Sequence, residues 1–250
     1  MKTDKLVYLL FKRLPQGFFA LIGRNPNDAE RYLFKSVEIK ETAFRLDAVF
    51  LPKDDDETYF VEAQFQPDDA FYARFFAEIF LFLRQYPTKK WRAVVIYPTK
   101  AIESRESDAY SVLLESAQVR RVYLDELPAD AKGAIGAFRL LIEPESTAPA
   151  LARNLASEGK DILDVVQQIL FYKFKTKSRK EIMKMLGVEE EILRETKAFQ
   201  EILEEGREEM LTKTVPILRE LGLKDEDIAR KLEVPVEKVK AIAPCKENSV

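Results

Sequence analysis

From the N-terminus, apolar residues recur at helical spacing. Leu6, Val7, Leu10, Phe11 and Leu14 share one face, Thr3 or Asp4 is placed to cap it, and Pro15 and Gly17 are expected to end the helix. The stretch 26–34 predicts a second, short helix. At Ser36 the period changes toward two. Val37 and Ile39 alternate with charges, 44–51 reads as a second strand, 53–57 as a charged turn and 58–66 as a third strand, which together make an antiparallel meander. Asp68 and Asp69 then precede an amphipathic helix whose Tyr72, Phe75, Phe76, Ile79, Phe80 and Leu83 line one face. The unbroken run Val94-Val95-Ile96 inside 91–97 is what a strand covered on both faces requires. A helix around 108–117 and a strand at 119–124 complete the core.

Beyond a linker at 144–149 the pattern is helical throughout, which predicts a division into 1–143 and 144–250. Ser178-Arg179-Lys180-Glu181 is a capping box. Ile192, Phe199, Ile202 and Leu203 mark a heavily charged helix, and 223–243 reads as a short helical pair turning at Val234-Pro235. The spacing of Ile228, Leu232, Val234, Val239 and Ile242 is similar to a helix-turn-helix, although Glu233 stands where such motifs often carry glycine. The acidic residues at 189–191 and 201–209 disfavour phosphate contact there. They fit a partner helix or homo-oligomer contact through the C-terminal helices better. The expected class is therefore α/β, a mixed sheet flanked by helices with an all-helical C-terminal extension.

Composition narrows the chemistry. Histidine is absent and the single cysteine is Cys245, so a Ser-His-Asp triad, a Cys-His pair and ordinary zinc sites are excluded. Acid–base or metal chemistry must come from Asp, Glu, Lys and Tyr. The net charge of −3 gives no global attraction to nucleic acid, so binding would need a local basic cleft. The longest apolar run is too short to cross a bilayer and no signal peptide is visible. The expectation is a cytoplasmic protein with no membrane partner.

Within the third strand, Tyr59, Val61, Ala63 and Phe65 face one way and Phe60, Glu62, Gln64 and Gln66 the other. Antiparallel pairing through the 53–57 turn makes Asp47 and Glu62 neighbours. Two converging carboxylates form a hard oxygen site suited to Mg²⁺, or to Mn²⁺. The plainer reading is that both acids solvate an exposed sheet face.

Three segments carry a resemblance: Arg45-Leu46-Asp47-Ala48-Val49-Phe50, Tyr59-Phe60-Val61-Glu62-Ala63-Gln64-Phe65-Gln66 and Phe71-Tyr72-Ala73-Arg74-Phe75-Phe76-Ala77-Glu78. With Gly206-Arg207-Glu208-Glu209 downstream, they resemble the Rpn family. These are recombination-promoting nucleases or putative transposases of the PD-(D/E)XK superfamily. The resemblance implies a restriction-endonuclease-like core and a magnesium-dependent DNA endonuclease linked to recombination or transposition. By it Asp47 and Glu62 are the metal acids, Ala63 lends its backbone carbonyl, and Gln64 stands where the superfamily usually has lysine. An amide orients water or phosphate by hydrogen bonds but cannot be a general base. Three outcomes stay open: the metal alone activates water with Gln64 positioning it, Lys40 reaches the site instead, or the fold is retained with little activity. Glu38 is a candidate third acid, and Gln66, Tyr72 and Arg74 are candidates for DNA contact. Arg74 could equally pair with Glu78. The alternative function is a catalytically degenerate nuclease fold acting as a DNA- or protein-binding module.

Overall fold

The computed structural model describes residues 3–38, 45–54, 56–87, 90–103, 108–187 and 197–242, with positions 3–5, 38, 45, 47, 179, 197–202 and 205 described as backbone only. The chain forms two compact units, Met1–Glu190 and Glu191–Val250.

The first unit is built on a five-stranded mixed sheet in the order β1-β2-β3-β4-β5: Tyr32–Glu38, Arg45–Pro52, Thr58–Ala63, Trp91–Tyr97 and Val119–Tyr123. The pairs β1–β2 and β2–β3 are antiparallel; β3–β4 and β4–β5 are parallel. This is the expected meander followed by a helical crossover. β1 begins at Tyr32, so the expected helix over 26–34 is only the 3-10 turn Pro26–Arg31. β3 ends at Ala63, which leaves Gln64 and Gln66 in the loop beyond the strand.

Helix α3 (Phe71–Gln85) is the crossover. Its Phe71, Tyr72, Phe75, Phe76, Ile79 and Phe82 are buried against Leu46, Val49, Phe60, Ala93, Val95 and Tyr97. Each such apolar side chain contributes roughly 1.5–3 kcal/mol. Phe80, expected on that face, is instead 48% exposed, and Asp68 caps nothing in the helix itself but accepts the Ala70 N–H.

The other sheet face is covered by α1 (Thr3–Arg13), α2 (Pro15–Leu21) and α5 (Gly133–Ile142). Phe18 stacks on Phe50 at 4.2 Å, and Phe11 meets Phe50 and Phe138 at 5.6 and 5.7 Å. α1 ends at Arg13, just before Pro15, as expected, but Gly17 ends no helix and lies inside α2. Pro15 also opens α2, because its fixed φ and missing N–H suit a first helical turn. Gly17 lets α2 approach α5: a Cβ there would lie 2.7 Å from the Ala134 side chain. The helix expected over 108–117 is reduced to a 3-10 turn and the short α4 (Ser111–Leu114).

α6 (Ala148–Ala156), α7 (Lys160–Lys173) and α8 (Arg179–Leu186) belong to this unit. α5 packs on α6 and α7, α6 packs on α8, and an Arg13–Asp164 ion pair ties α1 to α7. The compact unit therefore runs on to Glu190 rather than dividing at 143/144, because the apolar faces of α5 and α6 are buried against α7. The Ser178–Glu181 capping box is formed.

The second unit comprises α9 (Lys197–Glu220), α10 (Asp225–Leu232) and α11 (Val236–Lys240), around Leu211, Val215, Ile228, Ala229 and Val239. The helical pair turns where expected. Glu233 adopts the left-handed conformation at φ 53°, the geometry that glycine ordinarily supplies.

Candidate functional site

The β2–β3 pairing runs Phe50↔Tyr59, Val49↔Phe60, Ala48↔Val61. Ala48↔Val61 is the last paired rung of this ladder, with positions 47 and 62 the next residues along their strands. β2 is irregular at that point: Lys35 pairs with Val49 but Val37 pairs with Leu46, so 47 and 48 together oppose Ser36. That is a β-bulge, and the Ser36 hydroxyl donates across it to the Leu46 carbonyl at 3.3 Å. Leu46 and Val49 both enter the α3-side core although they are three residues apart. Strict alternation would separate them, so the bulge absorbs the extra residue at Asp47–Ala48.

Glu62 is half-buried near the end of β3. Ala63 pairs with Ile96, and the Gln64 N–H donates to the Ile96 carbonyl at 2.8 Å. The Gln64 side-chain amide donates to the Gln66 carbonyl across the turn that leaves the strand. A small cavity of about 20 Å³, space for about one water, lies against Tyr8, Ala48, Val61, Glu62 and Ala63. Among the described residues no group of three or more acidic side chains is close enough to hold a metal; the Asp47 side chain is not in that set. Glu38 ends β1 opposite Arg45. Lys40 lies outside the described residues.

The DNA-contact candidates separate. Gln66 is exposed. Arg74 is exposed but pairs with Asp68 at 2.8 Å, not with Glu78, and lies over the Phe71 ring. Tyr72 is only 1% exposed and is a core residue, so a groove contact is ruled out by burial. Its hydroxyl donates to Glu103 at 2.9 Å and accepts from Tyr97 at 3.0 Å.

That interaction belongs to a hub that sequence reasoning missed. The Glu103 carboxylate also accepts from Tyr123 at 2.5 Å and from Arg121 at 3.0 Å. Burial alone would raise the Glu103 carboxyl, but the bonds from Tyr123, Arg121 and Tyr72 outweigh it and hold its pKa below the ordinary value. Burial pushes Tyr72, Tyr97 and Tyr123 well above an ordinary phenol, and the charge on Glu103 adds to that. None of the three is a base at neutral pH.

A second missed network lies at the other end of β3. Arg24 bonds Asp28 (2.8 Å), Asp56 (3.0 Å) and the Tyr59 hydroxyl (2.9 Å), and Arg92 bonds Glu57 (2.7 Å). Burial would raise the Asp56 carboxyl, but Arg24 and the Glu57 N–H bring it down to about 2. No sequence motif joins these residues; only the sheet register does.

Fold and site together define an α/β protein with a five-stranded mixed sheet and a bulged acidic strand pair at one end of it. The chain belongs to the family described as Protein of unknown function (DUF2887), whose model matches residues 3–186. The match covers most of the first unit and gives no Rpn or nuclease assignment. No curated protein and no solved structure matches the chain. No helix among the described residues is long and apolar enough to cross a membrane.

Proposed function

We propose that this protein is a metal-dependent phosphodiesterase of the PD-(D/E)XK kind, hydrolysing DNA, with Asp47 and Glu62 as the metal-binding acids. The observation that carries the reading is the β2–β3 register. Its last paired rung, Ala48↔Val61, leaves positions 47 and 62 next along their strands, beside a bulge of the sort that re-aims side chains next to active sites. The connection order supports it too: a helix, an antiparallel meander, a crossover helix and a parallel strand are what the sequence resemblance implies for the core.

The donor set fits Mg²⁺ or Mn²⁺: two carboxylates and the Ala63 carbonyl are hard oxygens, with no histidine or thiol in competition. Such an ion supplies Lewis-acid stabilisation of the phosphate and a more acidic bound water. The chain's own contribution is positional. Gln64 has its amide nitrogen engaged by the Gln66 carbonyl, which fixes the amide plane and leaves the oxygen to orient water. The buried tyrosines, with raised pKa values, contribute no base.

Plasmid cleavage with Mg²⁺ or Mn²⁺ tests the proposal. Asp47→Ala and Glu62→Ala should each lower the rate on the order of 100-fold or more, since several kcal/mol of charge stabilisation would go with the ion. Equal rates for wild type and both variants would dispose of this site. A second reading, a degenerate nuclease fold used for binding, is favoured by Gln64 in the lysine position. Calorimetric Mg²⁺ binding abolished by Glu62→Ala would count against that one.

A further inference from the structure

β5 is the last strand of the sheet, so no strand among the described residues pairs along its outer edge. A groove of about 510 Å³ runs there, lined by Arg92, Lys100, Arg120, Arg121, Val119 and Tyr123 among others, and no acidic residue among the described ones lines it. Four cations around one sheet edge stand out in a chain whose net charge is −3. Two of them are neutralised: Arg92 by Glu57 at 2.7 Å and Arg121 by Glu103 at 3.0 Å. The other two are not. Lys100 and Arg120 are exposed and have no acidic partner among the described residues; Arg120 donates only to the Ile22 carbonyl.

The register explains why the charges spread around the edge. Arg120 pairs with Val94 and Arg121 with Val95, so these successive side chains project to opposite faces. Arg120 meets the end of α2 on one face, and Arg121 meets Glu103 on the other. A neighbouring cavity of about 390 Å³ shares Arg92 and Arg120 and adds Arg24, whose charge is balanced by Asp56. Glu62, Val95 and Arg121 also lie in one row across β3, β4 and β5. Two strand spacings put the backbone at Arg121 about 10 Å from that at Glu62, roughly three base steps of nucleic-acid rise.

We propose that the β5 edge groove binds the phosphate backbone of a nucleic acid, with Lys100 and Arg120 as the principal phosphate contacts. The excess of uncompensated cations selects a polyanion. The choice of nucleic acid among polyanions rests on the phosphodiesterase reading above, and the binding itself does not require cleavage.

The test is fluorescence anisotropy of a short fluorescein-labelled DNA duplex with the full chain in EDTA, across a range of salt. The Lys100→Glu/Arg120→Glu variant should bind at least about tenfold more weakly, with a salt slope smaller by roughly two phosphate contacts. Lys100→Glu alone, which breaks no side-chain hydrogen bond of the fold, should give a smaller loss in the same direction. Lys224→Glu/Lys231→Glu in the second unit should leave affinity within about twofold. Wild-type affinity and slope in both groove variants would overturn the assignment, as would an equal loss in the second-unit variant. Polyglutamate competing as well as DNA per charge would overturn the choice of nucleic acid. Asp47→Ala in the same titration separates the two proposals. Binding without cleavage in wild type removes the enzymatic reading and leaves the groove, whereas cleavage with groove-independent binding removes the groove alone.

Discussion

At the N-terminal end of β3 a single cation serves several acids; at the C-terminal ends of β4 and β5 a single acid serves several donors. Arg24 holds Asp28 and Asp56, and its side chain keeps 26% of its surface in contact with solvent. Glu103 takes bonds from Tyr72, Tyr123 and Arg121 with only 10% of its side chain exposed. Both are clamps on loops: the first fixes the β2–β3 turn, the second the segment after β4. They differ in what their loss would leave behind. Water reaches Asp28 and Asp56, whose side chains are 21% and 20% exposed, and can replace the cation there in part. It cannot reach Tyr72, which is 1% exposed, so Glu103 has no substitute. A saturated charge cluster is thus read as structure at both ends, and burial sets how much each is worth.

The largest effect should come from Glu103→Ala. It leaves the buried Tyr72 hydroxyl without its acceptor and frees Tyr123 and Arg121, so unfolding in urea should show a loss of about 2–4 kcal/mol. Glu103→Gln keeps an acceptor oxygen and should lose roughly half of that. If the alanine variant lost less than about 1 kcal/mol, the hub would not be the stronger clamp.

Next comes the acid response of the Arg24 end. The folded Asp56 carboxyl sits at about 2, below its unfolded value near 3.8, so its contribution to stability is complete above pH 4 or so and drains away as pH falls toward 2. Both partners are under a third exposed, and the shift corresponds to about 2 kcal/mol. Asp56→Asn should therefore be less stable than wild type at pH 7, and the gap should close by roughly pH 2. A gap that stays constant from pH 7 to pH 2.5 would mean that Asp56 ionisation is not what links that end.

Legibility in the sequence followed the range of the interactions. The meander, the α3 crossover and β4 could be read because alternation and helical spacing are local, and the Ser178 capping box spans only four residues. Counting across one turn brings positions 47 and 62 next to the last paired rung, Ala48↔Val61. The bulge beneath it could not be counted: it shows only when Val37 is found opposite Leu46. The sequence reads Tyr72 both as part of the apolar helix face and as a candidate DNA contact; burial keeps the first, and its partners Tyr97 and Glu103, arriving from another strand and loop, could not be read locally. Arg74 turned to Asp68 rather than Glu78 because Glu78 is buried at 6% in the helix's inner face. The sequence divides the chain at 143/144 because Pro144 and Pro149 look like a linker; the first compact unit runs to Glu190, since α6 and α7 bury the apolar surface of α5. Glu233 reads in the sequence as a departure from the helix-turn-helix glycine, yet it adopts the left-handed conformation that glycine ordinarily supplies.

The smallest effect sharpens the comparison from its exposed limit. Arg31 reaches Asp54 at 2.8 Å on the rim of the Arg24 network, and the two side chains are 47% and 49% exposed. Geometry alone would rank this pair with Arg24–Asp56 at 3.0 Å. Solvent reverses that ranking, because water and salt screen a pair at the surface and holding two long side chains together costs entropy. Asp54→Ala should therefore melt within experimental scatter of wild type at physiological salt, while Asp56→Asn melts measurably lower in the same buffer. Equal decreases in the two variants would mean that contact distance, not burial, ranks the ion pairs of this sheet, and the contrast between Arg24 and Glu103 would lose its physical basis.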